Sequence, residues 1–125
     1  MKNVVATKEA PAAIGPYSQA IEYNGVLYVS GQIPVNPKSG AVEADTIEGQ
    51  AEQSLKNVGA ILREAGLTYE NVLKTTCFIA DMGDFAKFNE VYAKYFKEDA
   101  PARSCVAVKD LPKGVLCEVE VIAGK

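Results

Sequence analysis

Histidine is absent from the 125-residue chain. That absence excludes Ser-His-Asp and Cys-His catalysis, the HExxH metalloprotease helix and any His-ligated metal site. It also removes the usual general base at neutral pH. Catalysis, if there is any, must run on Glu, Asp, Lys, Tyr, Cys, backbone groups or water. Tryptophan is missing too, and arginine occurs only as Arg63 and Arg103. The cysteines are three, Cys77, Cys105 and Cys117, each in an apolar stretch and none in a CxxC spacing. They read as reduced thiols, not as a disulfide framework or a zinc site. No apolar run is long enough to span a membrane. The opening MKNVVATKEAPAAIG lacks the apolar core of a secretion signal. The expectation is a soluble cytoplasmic protein with no membrane partner.

What is present is ordinary globular composition, with 48% hydrophobic and 23% charged residues. The length suits one domain over residues 1–125, with enough core to fold without staples. Thirteen basic and 16 acidic residues leave a net charge of −3. A mildly acidic surface repels phosphate backbones, so a nucleic-acid partner is not expected.

Val4 and Val5 suit a short opening strand. Pro11, Gly15 and Pro16 break regular structure in the next segment. Two β-rich runs, Gln19 to Tyr23 and Val26 to Gln32, flank Asn24-Gly25, a pair that fits a type I′ hairpin turn. Thr46 is placed to cap a helix whose apolar positions are Ile47, Ala51, Leu55, Val58, Leu62 and Ala65, with Gly66 as its stop. Val72 to Ala80 reads as a central strand. Asp84 is placed to cap a second helix with the stripe Phe85, Phe88, Tyr92 and Tyr95 or Phe96. Strands over Arg103–Val108 and Val115–Ile122 follow, joined by DLPKG.

That order predicts an α+β domain, a mixed sheet with two helices on one face. Both sides of the last strand carry apolar residues, Val115, Cys117, Val119 and Val121 against Leu116 and Ile122. The second face therefore needs a cover, most simply a copy of the same chain.

Arg103 opens an apolar strand. Its guanidinium suits a bidentate grip on carboxylate or phosphate, and equally a structural ion pair to a neighbouring acid. Glu118 and Glu120 share a strand face, where a partly buried carboxylate can hold and activate water. The alternative is a solvated face, unless an adjacent strand supplies Arg103. Cys105 shares a strand face with Arg103, and a nearby guanidinium is expected to lower a thiol pKa. Without a histidine base, a covalent thiol mechanism has little support. Tyr17 in the Gly15-Pro16-Tyr17-Ser18 loop is either a pocket wall or local packing. Ser30-Gly31 ends a strand where a ligand or another backbone can come close. Asn89 on the aromatic helix reads as a surface amide. No metal-ligand constellation and no phosphate-binding glycine pattern is present.

Four segments carry more than composition: AIGPYSQA (13–20), LYVSGQIP (27–34), FNEVYAKYF (88–96) and PARSCVAVKDLPKGVLCEVEVIA (101–123). Together they closely resemble the RidA/YjgF family of enamine/imine deaminases, essentially end to end. The resemblance implies a chorismate-mutase-like fold and a homotrimer with a site in each inter-subunit cleft. It implies hydrolysis of 2-imino acids or their enamines, released by pyridoxal-phosphate enzymes such as threonine dehydratase, to 2-keto acids and ammonia. No metal or cofactor is implied. Carried over by motif, Arg103 would bind the substrate carboxylate, and Glu118 would hold and activate water. Cys105 would contribute backbone groups. Tyr17, Ser30, Gly31 and Asn89 would line the pocket, with Gly114 at its rim. Cys117 and Asp110 depart from the usual pattern without touching these groups. Two other roles compete: a holdase for unfolded clients, suggested by the oligomer surface and three thiols, and RNA cleavage, reported for similar proteins and opposed by the charge balance and the missing histidine.

Overall fold

The structure, a computed structural model, describes all residues from 1 to 125. Six strands form one sheet: β1 (Asn3–Val5), β2 (Ala20–Tyr23), β3 (Val26–Gln32), β4 (Val72–Ile79), β5 (Ala102–Ala107) and β6 (Cys117–Gly124). Two helices, α1 (Ile47–Glu64) and α2 (Phe85–Tyr95), complete the architecture. The strand order is β1–β2–β3–β6–β4–β5. Only β4 and β5 run parallel, joined by α2 as their crossover; the other pairs are antiparallel.

The local signals act as expected at several points. Asn24 and Gly25 both take positive φ, 50° and 78°, so the β2–β3 turn has the twist a tight hairpin needs. The Thr46 hydroxyl accepts from the Gly49 amide at 3.1 Å and caps α1. Gly66, at φ 76°, lets the chain leave α1 in the left-handed region. Asp84 differs: its side chain caps nothing. A short 3₁₀ turn precedes α2, and Asp81 caps that turn by accepting from Gly83 at 2.8 Å. Asp84 thus occupies the N-cap position of α2, while the side-chain cap is made three residues earlier.

Both helices lie on one face of the sheet. Leu55, Val58 and Leu62 of α1 and Phe88 of α2 are fully buried against Cys77, Cys117 and Val119 of the strands. On β6 the core-facing set is Cys117, Val119, Val121 and Ala123, alternating with Glu118, Glu120 and Ile122. Strand β6 begins at Cys117, so Val115 and Leu116 fall outside it. Leu116, expected on the second face, packs against the core instead.

No element of this chain covers the second face. Row by row it presents Ile21, Tyr28 and Ile122, then Glu120 and Thr76, then Glu118, Phe78 and Val106. Tyr28 and Val106 stay 48% and 45% exposed.

Candidate functional site

Glu118 sits on the uncovered face of β6, beside a break in the β3–β6 ladder. The register jumps between Val29 and Gln32, which lifts Ser30 and Gly31 out of regular pairing. The Glu118 carboxylate lies against the Gly31 backbone: a Cβ at Gly31 would come within 1.9 Å of its Oε2. Any side chain at Gly31 would displace the Glu118 carboxylate from this position. Burial raises the Glu118 pKa, and the neighbouring Glu120 charge raises it further.

The Tyr17 loop is tied to the same end of β3. The Ser30 hydroxyl donates to the Ser18 carbonyl at 2.6 Å, and the Ser30 amide donates to the Gln19 carbonyl at 2.9 Å. The buried Gln19 amide group donates to the carbonyls of Thr7, Ala10 and Pro11. Ser30 thus straps the loop that presents Tyr17, and its hydroxyl proton is committed to that bond. Tyr17 is 53% exposed. With Ile14, Gly31, Ile33 and Lys113 it lines a cavity of about 260 Å³. Gly114 follows Lys113 in a turn where both take positive φ, 58° and 63°, which folds the chain back at the cavity edge.

Arg103 lies elsewhere. It is half-buried at the start of β5 and reaches toward α2. Its Nη1 donates to Asn89 Oδ1 at 2.7 Å. Its guanidinium carbon stands 4.6 Å from the Tyr92 ring centroid and 5.4 Å from that of Phe85. No carboxylate neutralises it; the chain's one ion pair joins Lys125 and Glu22 at 3.3 Å. The structural ion pair weighed for Arg103 is absent. Asn89 is no idle surface amide, since it holds the guanidinium.

Strand alternation does place Cys105 on the Arg103 face, but its thiol pKa is not lowered. Burial raises it, outweighing the downward pull of Arg103. Cys77 and Cys117 are pushed up to about 12, again by burial first. All three thiols are poor nucleophiles, which fits plain packing for Cys77 and Cys117.

The strand next to Glu118 does not supply Arg103. Arg103 pairs with Thr75 of β4, and Thr75 with Val121, on the helix-covered face. Glu118 is two strands across and three register positions along, on the opposite face, with backbones about 14 Å apart. The chain therefore holds two separate groups of candidate residues. One combines Glu118, Gly31, Tyr17 and the Gly114 turn; the other combines Arg103, Asn89 and Cys105. Sequence reasoning missed Phe85, Tyr92 and Thr75 around the guanidinium. The first two were visible as a stripe with Asn89 at i, i+4 and i+7, but were read as core alone. No three acidic or cysteine side chains gather as a metal centre.

The model of the family described as "Endoribonuclease L-PSP" matches residues 7–125. The 2-iminobutanoate/2-iminopropanoate deaminase of Homo sapiens is 46% identical, over 98% of this chain and 90% of that protein. A Yersinia pestis protein of unknown function from the conserved Rid family, YyfA, superposes with a TM-score of 0.97 at 53% identity, covering 100% of both chains. E. coli TdcF with bound serine superposes with a TM-score of 0.94 at 46% identity, covering 98% of each. With motif, fold and near-complete coverage in agreement, the chain belongs to the endoribonuclease L-PSP family, the Rid (RidA/YjgF) proteins.

Proposed function

We propose that this protein hydrolyses 2-imino acids and their enamine tautomers, 2-iminobutanoate and 2-iminopropanoate among them, to 2-keto acids and ammonia. The observation that carries the reading is an arginine fork on an aromatic bed with no carboxylate of its own. A half-buried cation without a counter-ion is a ready receptor for a small organic acid. The deaminase relative and a relative with bound serine support the same ligand class. Serine carries a carboxylate next to a carbon bearing nitrogen, the arrangement a 2-imino acid presents.

The reaction needs a held anion, a placed water and proton transfer. Arg103 and Asn89 hold the carboxylate end. Glu118 takes a proton from water as its oxygen adds to the C=N carbon and passes that proton to the nitrogen, giving a carbinolamine. It then takes the carbinolamine hydroxyl proton and delivers it to the nitrogen, so the keto group forms as the C–N bond breaks and ammonia leaves. Water is consumed, and no electron changes hands. A raised Glu118 pKa makes its carboxylate the stronger base. Cys105 contributes backbone groups near the water.

The two half-sites meet when a second copy packs on the uncovered sheet face. A homotrimer with one cleft per subunit boundary is our reading of the assembly. The exposed Tyr28 and Val106 support it, because aromatic and branched apolar residues on an open sheet face favour a partner. RNA cleavage, which the family description names, finds little in a chain of net charge −3 without histidine.

The test generates 2-iminobutanoate in situ with threonine dehydratase and follows ammonia or 2-ketobutanoate. Wild-type protein at catalytic concentration is expected to shorten the imine lifetime well below its value in buffer. A lifetime equal to that in buffer overturns the reading.

A further inference from the structure

The buried polar pair Thr75–Tyr92 needs a reason. Thr75 is fully buried and Tyr92 is 7% exposed, yet their hydroxyls are spent on each other at 2.7 Å. A Val–Phe pair would fill the same space without hydroxyl groups to satisfy. What the polar pair adds is a defined ring orientation, since it locks the tyrosine tip to a stiff β-branched residue on the sheet.

The ring so locked is the one beneath Arg103. Thr75 stands directly opposite Arg103 in the β4–β5 register. Tyr92 and Asn89 reach Arg103 from one face of α2. We infer that Tyr92, pinned by Thr75, is a positioning residue that sets the plane of the Arg103 guanidinium for a substrate carboxylate. Asn89 takes a hydrogen from Nη1, the tyrosine face fixes the tilt, and the remaining N–H groups are left in one plane for the ligand. Bidentate recognition depends on that plane more than on charge alone. The inference rests on the carboxylate-binding reading of Arg103 above, not on turnover.

The experiment measures binding of the product-class acid 2-ketobutanoate by titration calorimetry, with thermal unfolding of each variant alongside. Tyr92→Phe and Thr75→Val each break the pin and keep the core volume; each is expected to weaken binding by about two- to tenfold. The double variant is expected to bind no worse than the weaker single one, because both changes remove one interaction. Tyr92→Leu also removes the aromatic face and is expected to weaken binding by roughly 3- to 30-fold. Should it fail to fold, the two pin variants decide the matter. Val58→Ala, a core change on α1, is expected to lower the melting temperature without moving the affinity.

Pin variants that bind as wild type does, or whose effects simply add, overturn the inference and leave the carboxylate site standing. So does an equal loss of affinity in Val58→Ala, which would reveal general loosening. Wild-type protein that binds no 2-ketobutanoate overturns this inference together with the carboxylate reading.

Discussion

Arg103→Ala is expected to lower kcat/KM for 2-iminobutanoate by roughly 30- to 5,000-fold and to leave the protein folded. The loss would follow from removing the guanidinium proposed to hold the substrate carboxylate. Truncating one partner of a buried, hydrogen-bonded charge pair costs about 2–5 kcal/mol. Folding is spared because Arg103 neutralises no acid of the chain, so its removal strands no buried charge. The lost contacts are one hydrogen bond to Asn89 and the stacking on Tyr92 and Phe85. Arg103→Lys sharpens the test. It keeps the charge and loses the planar fork, so it should recover only part of the loss. Steady-state kinetics with circular dichroism as the folding control measure both. Wild-type kcat/KM in Arg103→Ala would remove this residue from the mechanism.

Glu118→Gln acts on the other term. A misplaced carboxylate would affect binding, whereas a missing base affects the chemical step. General-base catalysis contributes about 10²- to 10⁴-fold, so kcat should fall by that order while KM moves little. The pH profile carries an independent mark. Burial first, and Glu120 second, raise the Glu118 pKa. The acid limb of kcat/KM should therefore lie above the ordinary carboxylate value of 4.5. Glu120→Gln should move that limb to lower pH. Stability follows the same sign. A folded-state pKa above the unfolded one favours the folded protein at low pH, where Glu118 is protonated. That benefit is lost as pH rises from the unfolded value through the raised one. Above that raised pKa wild type bears the cost of a half-buried charge, so there Glu118→Gln should be at least as stable. An acid limb at an ordinary carboxylate value, or an unchanged kcat in Glu118→Gln, would separate Glu118 from the proton transfer.

Local chemistry was legible in the chain because it is written within a few residues. Asn24-Gly25, Thr46 and Gly66 each act through their own backbone neighbours. The shared face of Arg103 and Cys105 needs only the two-residue period of a strand. The uncovered face could be argued from apolar residues on both sides of β6, although Leu116 was assigned to it wrongly. What stayed hidden needs the order of strands. Nothing local says that β5 lies parallel and outside β4, and that order is what puts Arg103 and Glu118 on opposite faces. The same holds for Thr75. Its service to Tyr92 comes from a register across two strands and a helix, so a threonine in VLKTTCFIA could only read as strand filler. The Cys105 pKa went the other way because burial, unlike proximity to Arg103, is not visible in sequence.

In the proposed assembly, half-sites on opposite faces make catalysis a property of neighbours and not of a chain. An Arg103→Ala protomer keeps an intact Glu118 half, and a Glu118→Gln protomer keeps an intact Arg103 half. Dissociated and reassociated together in equal amounts, the two inactive proteins would build mixed assemblies in which about a quarter of the boundaries pair two sound halves. Each defect would then be complemented from across the seam, and activity would return from parents that have none.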